Sequence, residues 1–454
     1  MRSDVSIDDV TVSILLISRR SRFRQGCRFT KRGIDEHGAV ANFVETEQIL
    51  TYPPDHLRIT SFVQVRGSIP VKWISPVHMK YEPVVYLDEA TPEQKLKTVE
   101  YAAKHITELI DKYCDIHSAA SILMVNLVDG KKDQGKLGVA YKETIDTLKP
   151  QFANYPLLYE WFDFHHETKQ KGKWNNLSKL IMKVDASFRE MKYFSRSANG
   201  TVTSWQKGVI RTNCMDNLDR TNVVQSLFAR RSLILQVGLS GKVEMNNAHI
   251  MQTQFKTFES IFKSMWTNNA NAMSMGYTGT GALKADFTKT GKRTMKGMIN
   301  DGVNSLMRYY INNFTDGMKQ DAIDLMIGRY RPNPLGHSPF TQKSSQEAIS
   351  ANLTKIFVLL ILIFLSLLLI IPPLTPWNGI SNVVGSSDPE DLSEQQMDVL
   401  DRNLKHLQMH FILALFIALV VVLYMMYKIV KKGSKVGEFM VLRPELLPEP
   451  IPIK

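Results

Sequence analysis

The stretch Arg211-Thr212-Asn213-Cys214-Met215-Asp216-Asn217-Leu218-Asp219-Arg220-Thr221 sets a cysteine and an arginine apart by five residues. A thiolate is a strong nucleophile and a guanidinium forks two phosphate oxygens. The pair therefore suits transfer of a phosphoryl group to sulfur and then to water. A loop of this length can curl until the backbone N–H groups of Met215, Asn217 and Leu218 point inward, where they would bind the substrate phosphate. A following helix adds the positive end of its dipole. That field, with Arg220, favours the thiolate form of Cys214. Thr221 can hydrogen-bond the sulfur as it leaves, and Asp216 and Asp219 are candidates to protonate the leaving alkoxide and activate water. A bare Cys-x5-Arg arises often by chance, and an inert buried cysteine is the commoner outcome. Context has to decide.

The context is favourable. Val209-Ile210 reads as the end of a strand, and Asn222 to Gln236 (NVVQSLFARRSLILQ) has apolar residues at helical spacing, giving strand, loop, helix. Upstream, residues 1–90 read as β-rich, with strands expected at Thr11–Ile17, Ala39–Val44, Ser61–Val65 and Val71–Ile74. Thr91-Pro92-Glu93 is a helix start with proline at the first position, leading into Gln94–Cys114. Ser121–Leu127 is a β-branched run that ends at the Asp129-Gly130 turn, and helices are expected near 139–150 and 174–192. No period repeats. Alternating strands and helices make α/β or α+β the default fold class.

Composition narrows the rest. The chain has 454 residues, 56 Lys+Arg against 44 Asp+Glu, and a formal net charge of +12; 44% is apolar and 22% charged. Three cysteines (Cys27, Cys114, Cys214) exclude a disulfide framework, a CxxC redox pair and a four-cysteine zinc site. The positive charge admits nucleic acid, a membrane surface or a phosphorylated substrate as partner. Its distribution is more informative: about +13 over residues 1–355, about −4 over 373–410 and about +3 over 411–454. Two apolar segments, 353–374 and 407–427, divide these blocks and lack a polar face, so they read as two transmembrane helices. Lys428, Lys431, Lys432 and Lys435 follow the second segment, and the intervening loop (375–406) is acidic. The positive-inside rule then puts both long termini in the cytosol and the loop in the lumen. Thr11–Ser18 is too short and too closely flanked by Asp8, Asp9, Arg19 and Arg20 for a leader. Insertion through the C-terminal hairpin favours the endoplasmic reticulum. Arg329 to Gln346, rich in Pro, Gly and Ser, reads as linker; the domain plan is 1–330 catalytic, 331–352 linker, the two spans with their loop, and a 428–454 tail.

The stretch RTNCMDNLDRTNVVQS closely resembles the catalytic loop of the Sac-domain phosphoinositide phosphatases. So do RGIDEHGAVANFVETEQ (32–48), VQVRGSIPVKW (63–73), FDFHHE (162–167), TNNANAMSMGYTGTGALKADFTKTGKRT (267–294) and NSLMRYYINNF (304–314). The resemblance covers about 12–330, and the paired C-terminal spans resemble the branch anchored in the endoplasmic reticulum and Golgi membranes. It implies an α/β Sac-type catalytic region with a two-helix membrane hairpin. It further implies hydrolysis of phosphatidylinositol phosphates, phosphatidylinositol 4-phosphate above all, without metal or cofactor. By the same resemblance Cys214 matches the nucleophile, Arg220 the phosphate-binding arginine and Asp216 the acid. Two departures stand out: Asn217 replaces a usual second cysteine, and an N-terminal subdomain usual in the family is expected to be missing before the matched region.

Other features have blander readings beside the sharp ones. Lys284, Lys289, Lys292, Arg293 and Lys296 fit neither a Walker loop nor GxGxxG. They read as a solvated basic face or, with the resemblance, as a surface for inositol phosphates, with Lys284, Lys292 and Arg293 as substrate-binding candidates. His165-His166-Glu167 reads as structural hydrogen bonding at Asp163 or His165 sooner than as a metal site. Arg66 and Trp73 divide evenly between packing and substrate contact. Nucleic acid is a weak reading beside a membrane anchor, and no protein partner is indicated. The rival functions are a catalytically silent phosphoinositide-binding membrane protein and, less well supported, a protein tyrosine phosphatase.

Overall fold

The computed structural model describes residues 1–76, 83–114, 120–170, 173–239, 253–283 and 295–329. The linker, both apolar segments, their loop and the tail lie outside the described residues, as do Lys284, Lys292 and Arg293. Among the described residues no helix is long and apolar enough to cross a membrane.

The first stretch builds an antiparallel meander: β1 (Arg2–Ile7), β2 (Val10–Arg20), β3 (Val44–Thr51) and β4 (Ile59–Arg66), each paired with the next. A short β5 (Trp73–Ile74) pairs with β6 (Tyr86–Leu87). Then α1 (Pro92–Tyr113) leads to β7 (Ser121–Asn126), α2 (Lys132–Leu148) to β8 (Leu157–Trp161), and α3 (Phe164–Lys169) to α4 (Leu177–Met191). After the β9 (Phe194–Arg196) and β10 (Val202–Ser204) hairpin come β11 (Gly208–Asn213) and α5 (Asp219–Gln236). The described elements close with α6 (Lys256–Thr278), α7 (Met295–Phe314) and α8 (Asp316–Met326). The sheet order is β1-β2-β3-β4-β11-β7-β8. The last three strands run parallel to β4, so half the sheet is antiparallel and half is parallel.

Local chemistry explains the starts. Thr91 Oγ1 accepts the Gln94 N–H at 3.2 Å and Gln94 Oε1 accepts the Thr91 N–H at 3.0 Å, a capping box on α1 with Pro92 at its first position. Such a box typically contributes about 1 kcal/mol. Gly208 opens β11 at φ +132°, and a Cβ there would stand 2.1 Å from Ser121 O on β7. Only glycine lets the two strands meet at this point, so Gly208 fixes where β11 begins.

Both faces of the parallel half are covered, which is why its strands read as apolar runs without clean alternation. Ile122, Met124 and Val209 face α1 and α2 through Ala102, Ile106, Leu109, Leu137, Tyr141 and Ile145. Leu123, Val125 and Ile210 face α4 and α5 through Leu180, Val184, Phe188, Val224, Leu227 and Phe228. The antiparallel half packs its Val5, Ile7, Val12 and Ile14 on Phe258, Phe262 and Trp266 of α6. Helix α5 lies between these layers and is buried nearly all round. Two of its buried arginines face carboxylates: Arg230 meets Glu259 at 3.0 and 3.2 Å, and Arg231 meets Asp185 at 2.9 Å.

Two sequence expectations change. Ala39–Val44 is not a strand: Asn42 takes a left-handed φ of 51°, Ala41 N–H donates to Gly33 O, and the strand starts where the expected one ended, at Val44. The helix expected from Asn222 begins at Asp219, which puts Arg220 and Thr221 in its first turn.

Candidate active site

The site forms where parallel strands end, the edge at which open α/β sheets bind ligands. β11 delivers Asn213, whose Nδ2 donates to Asn126 Oδ1 at 2.7 Å and whose Oδ1 accepts from Arg211 Nη1 at 3.2 Å. The first bond ties the root of the loop to β7. Cys214 follows, 3% exposed, then Met215, Asp216, Asn217 and Leu218 before α5 begins. Asn217 sits at φ 54° and its Oδ1 accepts the Cys214 N–H at 3.2 Å. Asparagine tolerates this left-handed position better than most residues. A cysteine there would keep the backbone amide but lose this bond.

The direction of the loop amides follows from what holds the carbonyls. Arg32 Nη1 donates to Met215 O at 3.0 Å and Asn42 Nδ2 donates to Asp216 O at 3.2 Å. A trans peptide points its N–H opposite its C=O, so the amides of Asp216 and Asn217 face away from Arg32 and Asn42. Among the described residues the N–H groups of Met215, Asp216, Asn217 and Leu218 meet no acceptor. The next residues open α5, whose N-cap Leu218 has no side-chain capping bond. Buried amides are nearly always paired. A run of open amides leading into an uncapped, buried helix terminus is a cradle for an anion.

Each charged side chain of the loop has a fixed partner. Asp216 is gripped by Arg28 (Nε–Oδ1 3.0 Å, Nη2–Oδ2 2.9 Å) and by Arg32 (Nη2–Oδ1 2.7 Å). Burial acts to raise its carboxyl, but the two guanidiniums outweigh that and hold it well below the usual carboxylate range. Arg32 itself stays protonated: burial lowers it, and Tyr277, Asp216 and Cys214 more than compensate. Asp219 Oδ1 accepts the Leu283 N–H at 2.7 Å, and Oδ2 lies 3.4 Å from Arg308 Nη1 of α7. Arg220 donates from Nη1 to Leu127 O at 3.0 Å and to Asp129 Oδ1 at 3.1 Å, and from Nη2 to Gln134 Oε1 at 3.0 Å. Asp129 also takes His165 Nδ1 at 2.9 Å. Burial would raise Asp129, but His165 and Arg220 bring it down. Thr221 Oγ1 is buried without a hydrogen-bond partner among the described residues.

Arg66, from the end of β4, completes the surroundings. It is fully buried, donates from Nη2 to Asn222 Oδ1 at 3.3 Å, and leaves Nε and Nη1 without acceptors among the described residues. Burial pushes it down to about 10, opposed by the negative charge of Cys214 as a thiolate.

The structure thus gathers the sequence-predicted Cys214, Asp216, Asp219, Arg220 and Thr221 with the amides of Met215, Asn217 and Leu218. Sequence reasoning missed Arg28, Arg32, Asn42, Asp129 and Gln134. Arg32 and Asn42 lie in the quoted 32–48 stretch, a usable signal; Asp129 reads in the sequence only as part of a turn. His165 bonds Asp129 and Asp163 caps α3, Oδ1 accepting the His166 N–H at 3.0 Å, as expected of structural groups. A cavity of about 470 Å³ lies elsewhere, lined among others by Arg19, Arg20, Phe43, His105 and Tyr113. It lacks a nucleophile and is not this site.

Comparison with known proteins agrees with the geometry. The SacI homology domain family matches residues 2–169. Phosphatidylinositol-3-phosphatase SAC1-A of Danio rerio is 42% identical over 316 residues, 70% of this chain and 50% of the relative. Phosphatidylinositol-3-phosphatase SAC1 of Saccharomyces cerevisiae is 36% identical over 356 residues, covering 75% and 53%. Phosphoinositide phosphatase SAC7 of Arabidopsis thaliana is 37% identical over 353 residues, covering 77% and 55%. The chain spans about half the length of these curated relatives. Residues 2–169 thus carry a SacI homology domain, and the chain with its mixed sheet and its cysteine loop at the parallel edge is homologous to the SAC1 phosphoinositide phosphatases.

Proposed function

We propose that the chain is a phosphoinositide phosphatase that hydrolyses phosphatidylinositol monophosphates, the 4-phosphate above all, through a phosphocysteine on Cys214. The observation that carries this reading is the row of open amides from Met215 to Leu218 between a buried cysteine and the uncapped start of α5. In this reading the amides and Arg220 hold the phosphate, Cys214 Sγ attacks phosphorus, and the inositol oxygen leaves. Water then displaces the sulfur, with Thr221 as the candidate to hydrogen-bond it. The acid is less simple. Asp216 is an ionised partner of two arginines, so it can donate a proton only after they release it, and Asp219 is engaged by Leu283 and Arg308.

The wider proposal places the chain in the endoplasmic reticulum membrane, with the Golgi membrane as second site. Segments 353–374 and 407–427 span it, the catalytic region is cytosolic, and Lys284, Lys292 and Arg293 contact the inositol phosphate. These rest on the sequence.

The test is phosphate release from vesicles by the full chain and by Cys214→Ser. The relatives' names specify the 3-phosphate, so vesicles with either the 3- or the 4-phosphate are compared. Release by the parent and none by the variant is expected. Equal release would overturn the mechanism. Binding without turnover by the parent would favour a silent phosphoinositide binder.

A further inference from the structure

Helix α7 has two dissimilar sides. On one, Arg308 donates to Thr280 Oγ1 at 3.1 Å, to Ser274 Oγ at 3.0 Å and to Gly281 O at 3.0 Å, besides facing Asp219. Asn312 donates to Thr278 O at 3.1 Å and to Asp316 Oδ2 at 2.9 Å. That side locks the helix to the Cys214 loop. The other side exposes apolar side chains. Residues of a helix advance by about 100° each, so Met295, Met298, Ile299, Val303, Leu306 and Met307 share an arc of roughly 180°. All six are exposed, Met295 by 70%, Ile299 by 66% and Leu306 by 65%. Single exposed apolar residues need no explanation, whereas a continuous stripe of six marks a surface that is covered in use.

Four observations say by what. No carboxylate falls on the arc, and its one edge charge is the exposed Lys296; in sequence the helix directly follows Lys292-Arg293-Thr294. An apolar stripe with a cation at its edge and two more cations just upstream in sequence fits an anionic lipid surface. Leu325 and Met326, at the end of α8, are exposed as well. The chain beyond Arg329 continues in sequence to the apolar segments 353–374 and 407–427. Finally, the helix is bonded through Arg308 to Asp219, in the very loop read above as attacking a lipid headgroup. We propose that this face of α7 seats in the boundary between headgroups and acyl chains of an anionic membrane and holds the Cys214 loop at that surface. The inference rests on the phosphoinositide reading for its purpose, and its test separates the two.

The full chain, reconstituted in phosphatidylcholine–phosphatidylserine vesicles, carries Leu306→Cys coupled to an environment-sensitive fluorophore. The three native cysteines are buried, and the labelled parent supplies the background. Emission is expected to shift to the blue and to be quenched by lipids spin-labelled near the headgroup. In parallel, Ile299→Asn/Leu306→Asn is expected to lose about tenfold in turnover of vesicle-embedded phosphatidylinositol 4-phosphate. It should keep its turnover of the dissolved dioctanoyl ester. Emission as in water would overturn the proposal, as would a blue shift that spin-labelled lipid does not quench or one that follows protein concentration (a second copy). Equal effects of the double variant on both esters would overturn it too. If the parent cleaves neither ester, the phosphatase reading fails while the fluorophore still decides the docking.

Discussion

The two flanks of the Cys214 loop are built from opposite charges. On one flank a carboxylate, Asp216, is held by two guanidiniums that arrive from the 28–32 segment. On the other a guanidinium, Arg220, is held by Asp129 and Gln134 from beyond β7. The first arrangement needs no exchange when an anion binds, because Arg32 also fixes the Met215 carbonyl and so turns the amides toward the cradle. The second must change: a phosphate competes with Asp129 for the same fork. One flank shapes the cradle and the other responds to what enters it.

Arg220→Met breaks the responsive flank outright. Turnover of phosphatidylinositol 4-phosphate is expected to fall on the order of 10²–10³-fold in initial-rate assays, with Arg220→Lys recovering only part. A near-normal rate for Arg220→Met would end the distinction between the flanks.

Arg32→Met attacks the shaping flank, and its main effect is on stability. Asp216 is depressed in the folded chain, so its contribution is present above its unfolded value of about 4 and is lost as pH falls toward the folded value. Asp216 keeps some exposure and retains Arg28, so the loss at pH 7 should be on the order of 2 kcal/mol, short of a fully buried pair. The gap between parent and variant, read from denaturation at several pH values, should narrow below pH 4. A gap independent of pH would assign the effect to packing.

Asp316 shows what a carboxylate does here without an arginine grip. It is 1% exposed, accepts from Asn312, and burial pushes its carboxyl up to about 6. Its folded value exceeds its unfolded one, so the penalty is full above pH 6 and absent below about pH 4. Asp316→Asn should therefore stabilise the chain by on the order of 1.5 kcal/mol at pH 8 and leave it unchanged near pH 4. Destabilisation at both values would show that the carboxylate itself is needed.

Asp129→Asn is the mildest change. It keeps a hydrogen-bond acceptor for Arg220 but removes the competing charge. Inhibition by inorganic phosphate should tighten by about fivefold, roughly 1 kcal/mol. No change would mean that Arg220 and Asp129 do not part on binding.

The parallel half of the fold was the more legible in sequence. The Thr91 box, the β-branched β7 and the strand-loop-helix around Cys214 are local patterns, and each is found, the helix opening three residues before its expected start. β3 was missed because its buried face carries Thr46 and Gln48, so the alternation of Val44, Thr46, Gln48 and Leu50 does not read as apolar. Gln48 is accommodated only because its Nε2 reaches Ala229 O on α5, a contact 181 residues away. The site divides likewise. Its nucleophile, arginine and amides sit in one contiguous stretch. The grips of Arg28 and Arg32 on Asp216 span 188 and 184 residues, and no local periodicity encodes them. Hence Asp216 reads as a free acid in the sequence and as an ion-paired strut in the fold.

The central claim is that the phosphoryl group passes through Cys214. The full chain, mixed with phosphatidylinositol 4-phosphate labelled on that phosphate and quenched in acid within one turnover, should carry label in a thiophosphate ester on the Cys214 peptide. Cys214→Ser should carry none there. Release of labelled phosphate by the parent, with no label ever found on Cys214, would contradict the account.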